Sequence, residues 1–200
     1  MKFTHPFTCS VAFVLLQAAC GGAGQVAPTP APAEPTLAGV WQSECFDPGN
    51  GQAFRLVFDL KTTDWTLDYT AFGDARCEAA NLTVHIEGPY TLGAASKRVE
   101  GAREGEFGFA RKSVTPHNDG AAGFLPQACG GGNFAVGVPT DITAGCPGLG
   151  AYPIEKCGTD HDIVHFKGNV LRFGARPADN DMCSLEKRPT ALGAPLTRKQ

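Results

Sequence analysis

The stretch "AFRLVFDLKTTDWTLDYTAF", residues 53–72, decides the fold class. Its first half places Phe54, Leu56, Phe58 and Leu60 on one face and Arg55, Val57 and Asp59 on the other. Its second half places Trp65, Leu67 and Tyr69 together. An apolar residue at every second position is the period of a half-buried strand, and the short "KTT" between the halves suits a hairpin. A hairpin with one apolar face must bury that face against more sheet.

The flanking sequence supplies that sheet. "LTVHIEG" (82–88) sets Leu82, Val84 and Ile86 on one face, turns His85 the other way, and leads through Pro89 into "YTLG" (90–93). "EGEFGFARK" (104–112) sends Phe107 and Phe109 inward, and "HDIVHFKGNVLRFG" (161–174) reads as a second hairpin turning at Lys167-Gly168-Asn169. Residues 113–160, rich in glycine and proline, read as irregular, and the tail from Ala175 to Gln200 as loop. The 25 Gly and 15 Pro make up one-fifth of the chain, against about 12% in average usage, and no long run keeps a helical period. Short antiparallel strands with one apolar face form a sandwich or close into a barrel. "GVW" (39–41) resembles the Gly-x-Trp that opens the first strand of lipocalin-like barrels (calycins), where the Trp plugs one end. Trp41 is then the closing residue, with Arg172 or Arg176 stacked on it as cation–π partner; the competing reading is a plain core tryptophan.

The N-terminus reads as a targeting signal. Lys2 precedes "SVAFVLLQAA" (10–19), an apolar run too short to span a bilayer and suited to a signal peptide over residues 1–19. Cys20 follows. Its setting, "LLQAAC", resembles a bacterial lipobox with Gln17 where leucine is usual. That resemblance implies a lipid-bearing first residue of the mature chain, carrying diacylglyceryl and palmitate. Gly21 after the cysteine implies sorting to the outer membrane, facing the periplasm or the surface. Ordinary cleavage nearby, for example after Ala23, would instead discard Cys20. Residues 20–36 contain "GGAGQVAPTPAPAEPT"; at about 3.1 Å per residue this proline-rich tether reaches roughly 50 Å.

Six cysteines remain downstream: Cys45, Cys77, Cys129, Cys146, Cys157 and Cys183. An even number in an exported chain reads as three disulfides, with the pairing open. Zinc is disfavoured because no C-x-x-C pair occurs.

Charge and motifs exclude several functions. The net charge is −3 and the basic residues are scattered, so nucleic-acid binding has no electrostatic support. No G-x-S-x-G or H-E-x-x-H is present. The best polar cluster is "GTDHDIVH" (158–165), with Asp160, His161, Asp162 and His165. His161 beside either aspartate has the parts of a general base, but the favoured reading is a solvated turn entering a strand. The expectation is a non-enzyme with no cofactor and no metal. The inward residues Phe54, Leu56, Phe58, Trp65, Leu67, Tyr69, Phe107 and Phe109 either fill a solid core or line a pocket for an apolar ligand.

Taken together, "GVWQSEC" (39–45), "FGDARC" (72–77), "GPYTLG" (88–93), "DITAGCPGLG" (141–150), "LRFG" (171–174) and "CSLEKRPTAL" (183–192) resemble the adenomatosis-polyposis-coli down-regulated domain family. The resemblance covers about 37–197. It implies an all-β, antiparallel calycin/lipocalin-like barrel with long disulfide-stapled loops and an apolar cavity for an acyl chain. The functional expectation is a cell-envelope lipoprotein, held to the membrane by its N-terminal lipid, whose barrel binds a fatty-acyl or lipid-like ligand. The alternative is a structural or interaction lipoprotein with a filled barrel; no protein partner is indicated.

Overall fold

The computed structural model describes residues 36–199, apart from 48 and 50. The expected signal run, Cys20 and the tether up to residue 35 lie outside the described residues. The described strands are β1 (Gly39–Ser43), β2 (Ala53–Leu60), β3 (Asp64–Phe72), β4 (Ala80–Ala95), β5 (Ala102–Gly108), β6 (Arg111–Pro116), β7 (Thr140–Asp141), β8 (Thr159–Lys167), β9 (Val170–Gly174) and β10 (Leu192–Arg198). One helix, α1 (Asp119–Ala128), lies between β6 and β7.

Eight strands close a barrel, in the order β1-β2-β3-β4-β5-β8-β9-β10 and back to β1, every pair antiparallel. The fold is therefore nearly all-β, as the alternation requires. The quoted hairpin pairs in full, with Phe58 opposite Leu67 and Leu60 opposite Trp65. β4 is long enough to serve two neighbours on one side: Leu82–Glu87 pairs with β6 and Tyr90–Ala95 with β5. β5 and β6 are thus two halves of one rail, interrupted at Phe109 and Ala110. Pro89, which has no N–H to give, sits where β4 changes partner.

Two apolar clusters fill the two ends of the interior. The first joins Trp41, Phe58, Leu60, Trp65, Tyr90, Phe107, Val164, Leu171, Phe173 and Leu196. Its rings pack closely, with Phe58 and Phe173 stacked at 4.2 Å and Trp65 edge-on to Phe107 at 5.3 Å. The second gathers Phe54, Ala71, Leu82, Val84 and Val114 beneath Ala121, Leu125 and Ala128 of α1. Those three helix residues recur at the spacing of one helical face.

Three readings of the sequence are corrected. The tail is not loop throughout: β10 closes the barrel between β9 and β1. Residues 113–160 are not irregular throughout, because β6, α1 and β7 form there. α1 starts under an Asn118 cap, whose side chain accepts from Ala121 N at 2.9 Å. Third, Arg172 does not close the barrel on Trp41. It donates to Gly193 O at 3.1 Å, while Arg176 pairs with Asp160. The partner of Trp41 is Arg198, which lies directly across the ladder with its guanidinium carbon 4.4 Å from the ring centroid. Trp41 is fully buried and donates Nε1–H to Leu37 O at 2.8 Å. Gly39 has φ +141, and a Cβ there would strike the Arg198 guanidinium, so the glycine of Gly-x-Trp makes room for the arginine.

The disulfides are Cys45–Cys77, Cys129–Cys146 and Cys157–Cys183. The second ties the C-terminal end of α1 to the loop after β7. The third anchors a strap, residues 175–191, across the outer face of β5 and β8. Arg188 pins the strap: its side chain is only 3% exposed, it reaches Glu106 Oε1 at 2.8 Å, and it donates to Gly105 O and Asp162 O.

Candidate functional site

Between the two filled ends the interior changes character. Leu56, Leu67, Tyr69 and Ile86 point inward by strand alternation, pack against the clusters, and yet are only partly buried. The expected pocket residues therefore divide. Phe54, Phe58, Trp65 and Phe107 are buried in ring packing, while Leu56, Leu67 and Tyr69 line this midsection. Phe109, in the break between β5 and β6, is partly buried against the first cluster.

Charged groups reach the same level. Lys112 alternates with Val114, so it faces inward, and it lies opposite Ile86 in a row that continues to Leu67 and Phe58. It is 4% exposed, with Nζ 3.1 Å from Tyr152 O and 3.9 Å above the Phe109 ring. Burial pulls its pKa down, against the opposing effect of the Asp160 charge. Asp160 and Asp162 alternate with Val164 and Phe166 and are buried, correcting the expected solvated turn: "GTDHDIVH" is mostly the strand β8 itself. Asp160 is held by Arg176 at 2.6 Å. Asp162 accepts from Ile163 N at 2.7 Å and Gly174 N at 2.9 Å. Burial raises the Tyr69 phenol far above its ordinary value, with the Arg176 charge acting the other way. None of these polar roles was read from the sequence. The one available signal was the period-two phase that puts Lys112 in register with Val114.

Burial pushes the Asp162 carboxyl up to about 7, with Arg176 and the two backbone donors opposing it. The native state keeps this proton to about pH 7, whereas the unfolded chain releases it near 3.8. The native state thus binds more protons in that window, and stability falls as pH rises through it. Asp162→Asn removes this loss. Urea unfolding from pH 4 to 8 is expected to show the variant gaining on the wild type up to about pH 7 and holding a constant margin above; parallel pH profiles would contradict this.

His85 and His161 face outward, opposite in phase to the inward residues of their strands. His161 Nδ1 lies 2.8 Å from Glu106 Oε2 but out of line for a hydrogen bond, and Glu106 is already engaged by Arg188. On the opposite wall a groove of about 440 Å³ includes Asp68, His85, Ser113 and His117. His85 Nδ1 is 2.6 Å from Asp68 Oδ1, and Ser113 faces His85 across the ladder. Among the described residues no hydrogen bond joins the Ser113 and His85 side chains. Nor, among these residues, do three His, Cys, Asp or Glu side chains converge as metal ligands do, and no helix is long and apolar enough to cross a membrane.

A comparison with the curated proteins gives no match. The family model described as adenomatosis polyposis coli down-regulated 1 matches residues 24–131, just over half of the chain. That span runs from the tether through β1–β6 and α1, and stops before the "CSLEKRPTAL" segment that carries Arg188. With the barrel and its disulfides beside that match, the chain belongs to the adenomatosis polyposis coli down-regulated 1 family.

Proposed function

We propose that this chain is a cell-envelope lipoprotein whose barrel holds a hydrophobic ligand of the fatty-acyl or lipid-like kind. The observation that carries the reading is the midsection: Leu56, Leu67 and Ile86 face inward between two filled clusters and remain partly exposed. An acyl chain laid along them would gain about 25 cal/mol for each Å² of apolar surface removed from water, less the cost of ordering the ligand. A lipid on Cys20, followed by the proline-rich tether, would hold the barrel near a membrane that supplies such ligands.

The full chain and its Cys20→Ser variant, made in a bacterium with an outer membrane, test both parts. The wild type is expected with the membranes and the variant in the soluble envelope fraction; a variant that stays with the membranes overturns the anchor. The released variant is then expected to brighten the neutral apolar probe N-phenylnaphthylamine saturably, with hexadecyl compounds displacing it. No saturable binding would overturn the ligand and favour a structural lipoprotein with a filled barrel.

A further inference from the structure

Among the described residues Lys112 is the buried cation that forms no ion pair, although the Asp160 charge acts on it. Arg176, nearly half exposed, has Asp160 at 2.6 Å, and on the outer face the buried Arg188 has Glu106 at 2.8 Å. Lys112 is as deeply buried, but its Nζ meets only the Tyr152 carbonyl and the Phe109 ring. An ammonium carries three donors and is strongly hydrated in water. Keeping it in a barrel with one carbonyl and a ring face forfeits hydration that those contacts replace in part. Its position is not at a rim. It lies directly across the ladder from Ile86, which in turn lies opposite Leu67, so it ends a stripe of the partly exposed apolar midsection.

The inward ionic groups differ in how far they are satisfied. Asp160 is paired with the partly exposed Arg176, and Asp162 accepts from two backbone N–H groups at the β8–β9 seam. Lys112, on which the Asp160 charge acts without an ion pair, is the cation at the end of the apolar row. We propose that Lys112 is the headgroup site of the barrel and that its ligand is an anionic amphiphile, a long-chain carboxylate whose charge pairs with Nζ and whose tail lies on Ile86, Leu67 and Leu56. This rests on the ligand-binding reading above and adds the class of headgroup. The lowered pKa of the free side chain agrees with it, because an incoming carboxylate would stabilise the charged form that burial disfavours.

The test compares two ligands of one chain length, hexadecanoate and hexadecanol, as competitors for N-phenylnaphthylamine on the Cys20→Ser protein at pH 7.5, with and without Lys112→Met. The expected result is that hexadecanoate outcompetes hexadecanol by about tenfold or more, the scale of one charge-assisted hydrogen bond. Lys112→Met, close in volume, should abolish that preference and leave hexadecanol binding in place. Should the variant fail to fold, Lys112→Arg retains the charge and should retain the preference. The wild-type comparison also decides on its own. Equal competition by both ligands, or a preference that survives Lys112→Met, overturns the headgroup site and leaves the apolar ligand standing. Failure of both ligands and of the probe to bind overturns the ligand reading itself.

Discussion

Arg188→Met is expected to lower the unfolding free energy by about 2–4 kcal/mol, the scale of two buried carbonyls left without their donor together with a partly exposed ion pair. The guanidinium joins three pieces of chain: it donates to the carbonyls of Gly105 in β5 and Asp162 in β8, and it pairs with Glu106 from a position in the strap. Arg98 adds to the same seam by donating to the Arg188 carbonyl at 2.5 Å and to Leu185 O at 3.2 Å. Methionine keeps the apolar stem, so the loss reads out the polar contacts rather than an empty volume. Ile163 of β8 and Met182 of the strap itself are fully buried, and they open to water if the strap lifts. Urea unfolding should show a lower midpoint at an unchanged slope. A loss below about 1 kcal/mol, the scale of an exposed pair, would mean that the Cys157–Cys183 link holds the strap without Arg188.

Trp41→Ala is expected to cost about 3–5 kcal/mol, the range for removing a large buried ring. The indole is fully buried, meets Phe166 edge-on at 5.4 Å and bonds Leu37 O. Its loss empties the end of the first cluster and leaves the Leu37 carbonyl without its donor. Arg198→Met should cost less, about 1 kcal/mol, because it removes one cation–π contact and exposed carbonyl bonds. Arg172→Met should leave this end unchanged, since Arg172 bonds Gly193 instead. Thermal unfolding of the three variants checks the order; an Arg172 effect as large as that of Trp41 would contradict the assignment of Arg198.

How much was legible follows from the same residues. The 53–72 hairpin could be read because every second residue is large and apolar and the barrel buries one face. An arginine stacked on Trp41 was legible, but which arginine was not. The strand that carries Arg198, "LGAPLTR", contains Gly193 and Pro195 and offers only two large apolar residues. It is a strand because β1 and β9 flank it and satisfy its backbone, a tertiary effect that local propensity does not contain. α1 was hidden for a related reason. Gly120, Gly123 and Pro126 argue against a helix, and it forms on its cap, its buried face and the Cys129–Cys146 link.

The candidate site was half legible. Its apolar lining, Leu56, Leu67 and Tyr69, came directly from alternation. Its charged part did not, because Lys112, Asp160 and Asp162 look solvated in a sequence. They are buried because Arg176, the Tyr152 carbonyl and the N–H groups of Ile163 and Gly174 meet them, and of those partners all but Ile163 come from loops and strand ends at least 12 residues away. Buried polar groups are tolerated where such partners exist.

The central claim is that the midsection of this barrel holds a lipid-like guest. A native mass spectrum of the Cys20→Ser protein, taken from the envelope of the cells that made it, tests this most directly. The account predicts a mass six hydrogens below the reduced chain, for the three disulfides. It also predicts an adduct on the order of a few hundred daltons, the size of one acyl lipid that such a barrel interior encloses, lost on organic extraction. A bare protein mass that stays bare after incubation with hexadecanoate would contradict it.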